Sequence, residues 1–177
     1  RPDRYVHIGH DEIYEIGVCK RCRDKDPSDL LAEHVNKLYY HLKEKGLTAM
    51  IWSDMLQPVT KYKTPAAISM IPQDIVMLDF IWYFHVDKDI EENLLPHGFP
   101  VAFGNLYSSH FPRFESRIRK DGIIGGQIST WVSTEEDKIQ AEGKFYDIYM
   151  VAQMLWDGHY SHLHRPTYDR MISGLMP

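Results

Sequence analysis

Two adjacent carboxylates, Asp11 and Glu12, end the run Tyr5-Val6-His7-Ile8-Gly9-His10-Asp11-Glu12. Val6 and Ile8 alternate with other residues as in a strand, and Gly9 lets the backbone turn just before the acids. Two negative charges side by side at the end of a buried strand are costly, because desolvation and mutual repulsion both oppose them. The same repulsion keeps a proton on one of the pair near neutral pH, which is what a general acid requires. An Asp-Glu pair on a solvated loop is the bland alternative, and what decides between them is the rest of the chain. A second pair of reactive side chains, Cys19 and Cys22, follows in the same loop. Cys-x-x-Cys is half of a zinc site, and a complete one has to recruit histidines or another segment. The default is two free thiols in a reducing compartment, so no metal is assigned and the cytoplasm is favoured without being fixed. His159, His162 and His164 do not have the spacing of a His-Glu-x-x-His zinc helix.

The elements that must position these acids alternate between strand and helix. Arg4 to Gly9 reads as a strand. Asp26-Pro27-Ser28-Asp29 opens a helix, with Asp26 as cap and Pro27 in the first turn. Leu31, Val35, Leu38 and Leu42 repeat at helical spacing, and Gly46 stops the helix after Lys43 and Lys45. These lysines, with Lys61 and Lys63, read as solvated. Further strands are expected at Thr48 to Trp52, Asp74 to Trp82, Val101 to Tyr107 and Gly122 to Thr130. Helices are expected at Asp87 to Leu95, Arg113 to Lys120, and after a capping box at Thr134 to Asp137. The last helix carries Phe145, Ile148, Tyr149, Ala152 and Trp156 on one face, which reads as its buried face. Strand and helix in units of about 25–40 residues imply an α/β fold with a parallel sheet.

In such folds the chemistry collects at the C-terminal ends of the strands. Here those ends carry Asp11-Glu12, Trp52-Ser53-Asp54, Trp82-Tyr83, Tyr107 and Trp131. Carboxylates ringed by large aromatics suit a carbohydrate, whose C–H faces stack on indole rings. Composition narrows the field. The chain has 177 residues, 20 Lys and Arg against 25 Asp and Glu, and a net charge of −5. That balance favours neither nucleic acid nor an anionic membrane surface. No apolar run approaches the ~20 residues of a membrane span. The chain opens on Arg1, with a strand close behind and no signal peptide, and reads as an excised or processed piece.

His7-Ile8-Gly9-His10-Asp11-Glu12 resembles the strand-four motif of glycoside hydrolase family 20, the β-N-acetylhexosaminidases, usually His-x-Gly-Gly-Asp-Glu. Ile51-Trp52-Ser53-Asp54-Met55-Leu56 is similar to that family's next strand, and Gly125-Gly126-Gln127-Ile128-Ser129-Thr130-Trp131 to its last. The order of matches is closest to the hexosaminidase D-like branch and spans roughly residues 4 to 157. The resemblance implies a partial (β/α)8 TIM barrel, strands four to eight with their helices, residues 1–177 forming the C-terminal portion of the catalytic barrel without its N-terminal strands. A whole barrel takes about 250 residues. Pairing with the missing N-terminal half, or self-association, would cover the open edges.

The activity implied is a retaining exo-β-N-acetylhexosaminidase acting on terminal GlcNAc or GalNAc, with no cofactor. Family 20 departs from the two-carboxylate scheme, because the substrate's own acetamido oxygen attacks the anomeric carbon. Glu12 is then the acid and base, and Asp11 orients the acetamido group. Tyr107 donates to its oxygen, and Trp52, Trp82 and Trp131 wall the sugar. Asp54 positions the sugar or Glu12, or makes a structural hydrogen bond. His10 stands where a second Gly is usual and reads as a rim histidine. Ser109 and Ser133 replace acids that hold sugar hydroxyls, which leaves the choice between GlcNAc and GalNAc open; Glu135 or Glu136 could serve from a shifted loop. The rival readings are a non-catalytic carbohydrate-binding barrel, an inactive fragment, and a conventional hydrolase pairing Glu12 with Asp54.

Overall fold

The computed structural model describes residues 4–79, 89–106, 111–129, 131, 133–159 and 170. Its strands are β1 (Tyr5–His7), β2 (Thr48–Trp52), β3 (Val76–Asp79), β4 (Val101–Phe103) and β5 (Ile123–Gly126). Its helices are α1 (Pro27–Lys43), α2 (Glu91–Leu94), α3 (Phe111–Arg117), α4 (Glu136–Ala141) and α5 (Lys144–Asp157). The strands form one sheet in the order β1-β2-β3-β4-β5. The pairings β1–β2, β2–β3 and β3–β4 are all parallel. A parallel sheet whose spatial order equals its chain order is wound in one direction, as in a (β/α) barrel; a doubly wound sheet reverses at a switch point.

Local chemistry explains the first βαβ unit. Asp26 Oδ1 accepts the Ser28 N–H at 2.7 Å and caps α1, with Pro27 at its first position. Ser28, Leu31, Ala32, Val35 and Tyr39 make one buried stripe at three- and four-residue spacing. Opposite it, β2 alternates, with Ala49 and Ile51 buried and Met50 and Trp52 half-buried. Ala49, Ile51, Met77 and Val101 pack on the α1 stripe in the main core, joined by Ile75, Leu94 and Phe99. The other sheet face gathers Val76, Leu78 and Ala102, with Met50 and Trp52 against them. β3 is buried throughout, as its continuous apolar character predicts.

The chain divides into two compact units, residues 1–103 with 121–124, and residues 104–120 with 125–177. In the second, Phe114, Met150, Val151 and Met154 are buried, and the Arg117 guanidinium lies 4.9 Å over the Phe114 ring.

Three expectations are corrected here. The buried face of α5 is Asp147, Met150, Val151 and Met154, whereas Ile148 is exposed and Trp156 is 88% exposed. Aromatic side chains at helical spacing marked the wrong stripe, because methionine and valine pack the other side. The helix after Thr134 starts later than the capping box implies. Its cap position is Glu135, without a side-chain cap, and Ser133 Oγ accepts the Glu135 N–H at 3.2 Å. Lys43 is not simply solvated, since its ammonium bonds Asp74 at 3.1 Å and contacts Tyr39. Tyr39 Oη also donates to Asp74 at 2.6 Å.

Candidate active site

The acidic loop is shaped by three left-handed residues in four positions. Gly9, His10 and Glu12 have φ of +77°, +74° and +50°. Gly9 adopts this freely. A residue with a side chain does so at a cost of roughly 1–2 kcal/mol, sustained only where neighbours over-determine it. The neighbours are identifiable. Ile8 N–H donates to Met50 O at 2.8 Å and Trp52 N–H to Gly9 O at 3.1 Å, which ties the end of β1 to β2. Glu12 N–H donates to Asp54 Oδ2 at 3.0 Å, and Ile13 N–H to Met55 Sδ at 3.4 Å. Asp54 and Met55 lie in the short 3-10 turn Asp54–Leu56 directly after β2. The turn that follows β2 therefore fixes the backbone at Glu12.

Asp54 is itself buried, at 3% exposure, and its Oδ1 has no hydrogen-bond partner. Burial, with the charges of Asp11 and Glu12, pushes its carboxyl up to about 7, against the opposing pull of the Glu12 N–H. Near neutral pH this carboxyl is shared between its two protonation states.

Tyr14 and Tyr62 flank Glu12, an association that reading by strand ends missed. The Tyr14 and Tyr62 rings lie 5.7 Å apart. The neighbouring Glu12 raises the Tyr14 phenol, and burial raises Tyr62 further. Tyr14 could have been found from its place two residues beyond Glu12. Tyr62 lies in a loop between β2 and β3 and carries no local signal.

Trp52 is half-buried on the sheet face opposite α1, with the His7 ring edge-on at 5.1 Å. Burial lowers the His7 pKa, while Asp11 opposes that shift. Trp131 belongs to the second unit and is 58% exposed. Trp82, Tyr107, His162 and His164 lie outside the described residues. His159 is exposed, with Nδ1 3.0 Å from Asp157 O.

His10 is corrected from the rim to the interior. At 9% exposure it turns toward α1, where its Nε2 lies 2.9 Å from His34 Nδ1. Burial, then His34, lowers its pKa. Cys19 and Cys22 are free cysteines in the same loop. A hydrogen bond from Cys22 lowers the Cys19 thiol and raises its own. Among the described residues, as they are placed in this structure, no group of three or more His, Cys, Asp or Glu side chains could hold a metal ion. No helix among them is long and apolar enough to cross a membrane.

The fold has a counterpart among solved structures. No family model matches the chain. Its fold is similar to that of a β-N-acetylhexosaminidase from Bacteroides fragilis, at a TM-score of 0.65 and 21% identity, over 97% of this chain and 39% of that one. A weaker likeness, TM-score 0.46 and 19% identity, is to Dispersin B, over 80% of this chain and 50% of that one. Copine-D of Dictyostelium discoideum is 25% identical over 132 residues, 69% of this chain and 24% of copine-D. The chain thus spans well under two thirds of each. The Bacteroides likeness establishes the fold as an α/β sheet of the kind found in part of a (β/α) barrel.

Proposed function

We propose that this chain is the strand-four to strand-eight portion of a glycoside hydrolase barrel, and that the barrel is a retaining exo-β-N-acetylhexosaminidase. The observation that carries the proposal is the hydrogen bond from Glu12 N–H to Asp54 Oδ2. It spends a buried carboxylate and a strained backbone on fixing one acid at the C-terminal end of a parallel strand. A solvated loop needs neither. The fold shared with the Bacteroides β-N-acetylhexosaminidase supports the same reading.

In this mechanism Glu12 protonates the leaving glycosidic oxygen, and the 2-acetamido oxygen of the sugar attacks the anomeric carbon. Asp11 accepts the acetamido N–H and steadies the positive charge that develops, and Glu12 then takes a proton from the incoming water. Asp54 acts through Glu12 and is a positioning residue. Tyr14 stands beside Glu12 on the solvent side. By the family resemblance, Tyr107 donates to the acetamido oxygen and Trp52, Trp82 and Trp131 line the sugar. The substrate is a glycan or glycoconjugate ending in N-acetylhexosamine. The missing strands come from an N-terminal half or a second copy. The test is hydrolysis of an aryl N-acetyl-β-glucosaminide and its galacto analogue, by the chain and by a form carrying the preceding strands, each beside Glu12→Gln.

The conventional pairing of Glu12 with Asp54 is disfavoured by the same hydrogen bond. One oxygen of Asp54 is held by the Glu12 backbone and the other is buried. Neither is presented to a sugar.

A further inference from the structure

The loop that follows Glu12 contains four side chains that the glycosidase reading does not use. His10, Cys19, Cys22 and His34 all line one cavity of 290 Å³ between that loop and α1, with Ile13 and Leu31. We propose that they bind a single zinc ion, which fastens the β1–α1 loop to α1.

The cysteine half has the turn that thiolate ligation uses. The Arg23 and Cys22 N–H groups close a tight turn on Cys19 O at 2.9 and 3.0 Å, which sets the two free thiols on one turn beside the cavity. The histidine half is a facing pair of ring nitrogens at 2.9 Å. Zn–N bonds of about 2.0–2.1 Å in a tetrahedron put two such nitrogens roughly 3.3 Å apart, so a small opening of the pair admits the ion. The proposal requires the thiols of Cys19 and Cys22 to turn into the cavity that they line together with the two histidines.

Backbone strain supplies an independent argument. His10 has φ +74°, a conformation in which glycine costs least. A histidine kept there, buried, and turned onto His34 calls for a purpose the strand end alone does not provide. Residues 8–26 hold no strand or helix, and irregular loops of this length in compact domains are usually functional. Ligand chemistry selects the metal. Two thiols and two imidazoles are the soft and borderline donors of a Cys₂His₂ zinc site, and a hard cation would need oxygen ligands instead.

The experiment measures metal content by mass spectrometry after dialysis into metal-free buffer, then titrates the apoprotein with Co²⁺. About one zinc per chain and the intense visible absorption of a tetrahedral cobalt–thiolate centre are expected. Cys22→Ser and His34→Ala should each weaken binding at least tenfold in competition with a chromogenic chelator. His10→Gly is the sharpest variant, because it relieves the left-handed strain yet should lose the metal to the same degree. Circular dichroism of each variant separates lost binding from lost folding, and the wild-type cobalt spectrum does not depend on any variant. Wild-type protein without retained zinc and without cobalt–thiolate absorption overturns the proposal. So does a Cys19–Cys22 disulfide in freshly purified protein, or full metal retention by His10→Gly.

Discussion

Asp54 Oδ2 accepts the backbone N–H of Glu12 at 3.0 Å, so the turn that follows β2 fixes an acid in the loop that follows β1. The side chain of Glu12 inherits its direction from a backbone with φ +50°, and Asp54 is what keeps that backbone in place. Replacing Asp54 by Ala removes the acceptor, and an error of about 1 Å at a catalytic group can cost ~10²-fold. We expect kcat of Asp54→Ala to fall by about that factor with KM little changed. Asp54→Asn keeps an acceptor oxygen and should stay within about tenfold of wild type. Steady-state kinetics on the aryl glycoside decide it; equal losses in the two variants would remove the positioning role.

The same residue gives stability a pH dependence. Folding raises the Asp54 carboxyl from 3.8 to about 7, so the folded state binds this proton more tightly than the unfolded one. The corresponding stability is complete below pH 3.8 and is lost as pH rises through about 7. The slope for one group is at most about 1.4 kcal/mol per pH unit. Asp54→Asn abolishes this contribution, so its stability relative to wild type should be greater at pH 8 than at pH 5. Urea denaturation of both proteins at the two pH values tests it, and an unchanged difference would contradict the origin in Asp54.

Tyr14 touches Glu12 from solvent, at 71% exposure. Tyr14→Phe should therefore change stability by no more than about 0.5 kcal/mol, as for other exposed positions. It should still lower kcat several-fold, because the only change is the loss of a polar hydroxyl beside Glu12. Melting curves together with kcat and KM separate the two effects. A drop in stability without a drop in kcat would make Tyr14 a structural residue.

The packing of α5 can be checked in the same way. Met154→Ala deletes a fully buried side chain and should cost about 2–5 kcal/mol. Trp156→Ala removes a much larger side chain that is 88% exposed and should be close to neutral. Chemical denaturation of the two variants gives the ranking; the reverse order would restore Trp156 to the core.

The sequence was most readable where local signals and burial agreed. Asp26, Pro27 and the Leu31–Val35 spacing marked α1, and the short apolar stretch Thr48–Trp52 marked β2 with its observed bounds. The Asp11-Glu12 pair was visible because acids seldom follow an apolar strand so abruptly. What sequence could not show were relations between distant residues. Tyr62 reaches Tyr14 through folding alone, and nothing near His34 in the chain indicates that it faces His10. In α5 the aromatic stripe competed with a methionine and valine stripe of similar spacing. Side-chain bulk favoured the first, and packing chose the second.

The most direct measurement is turnover of a matched pair of substrates, an aryl N-acetyl-β-glucosaminide and the corresponding β-glucoside, by the protein carrying its complete barrel. If Glu12 is the acid and the acetamido group the nucleophile, the first substrate is hydrolysed with retention and the second is not. Glu12→Gln then loses activity by several orders of magnitude, and Asp11→Asn loses activity as well. Equal turnover of both substrates, or a Glu12→Gln variant as active as wild type, would contradict the account.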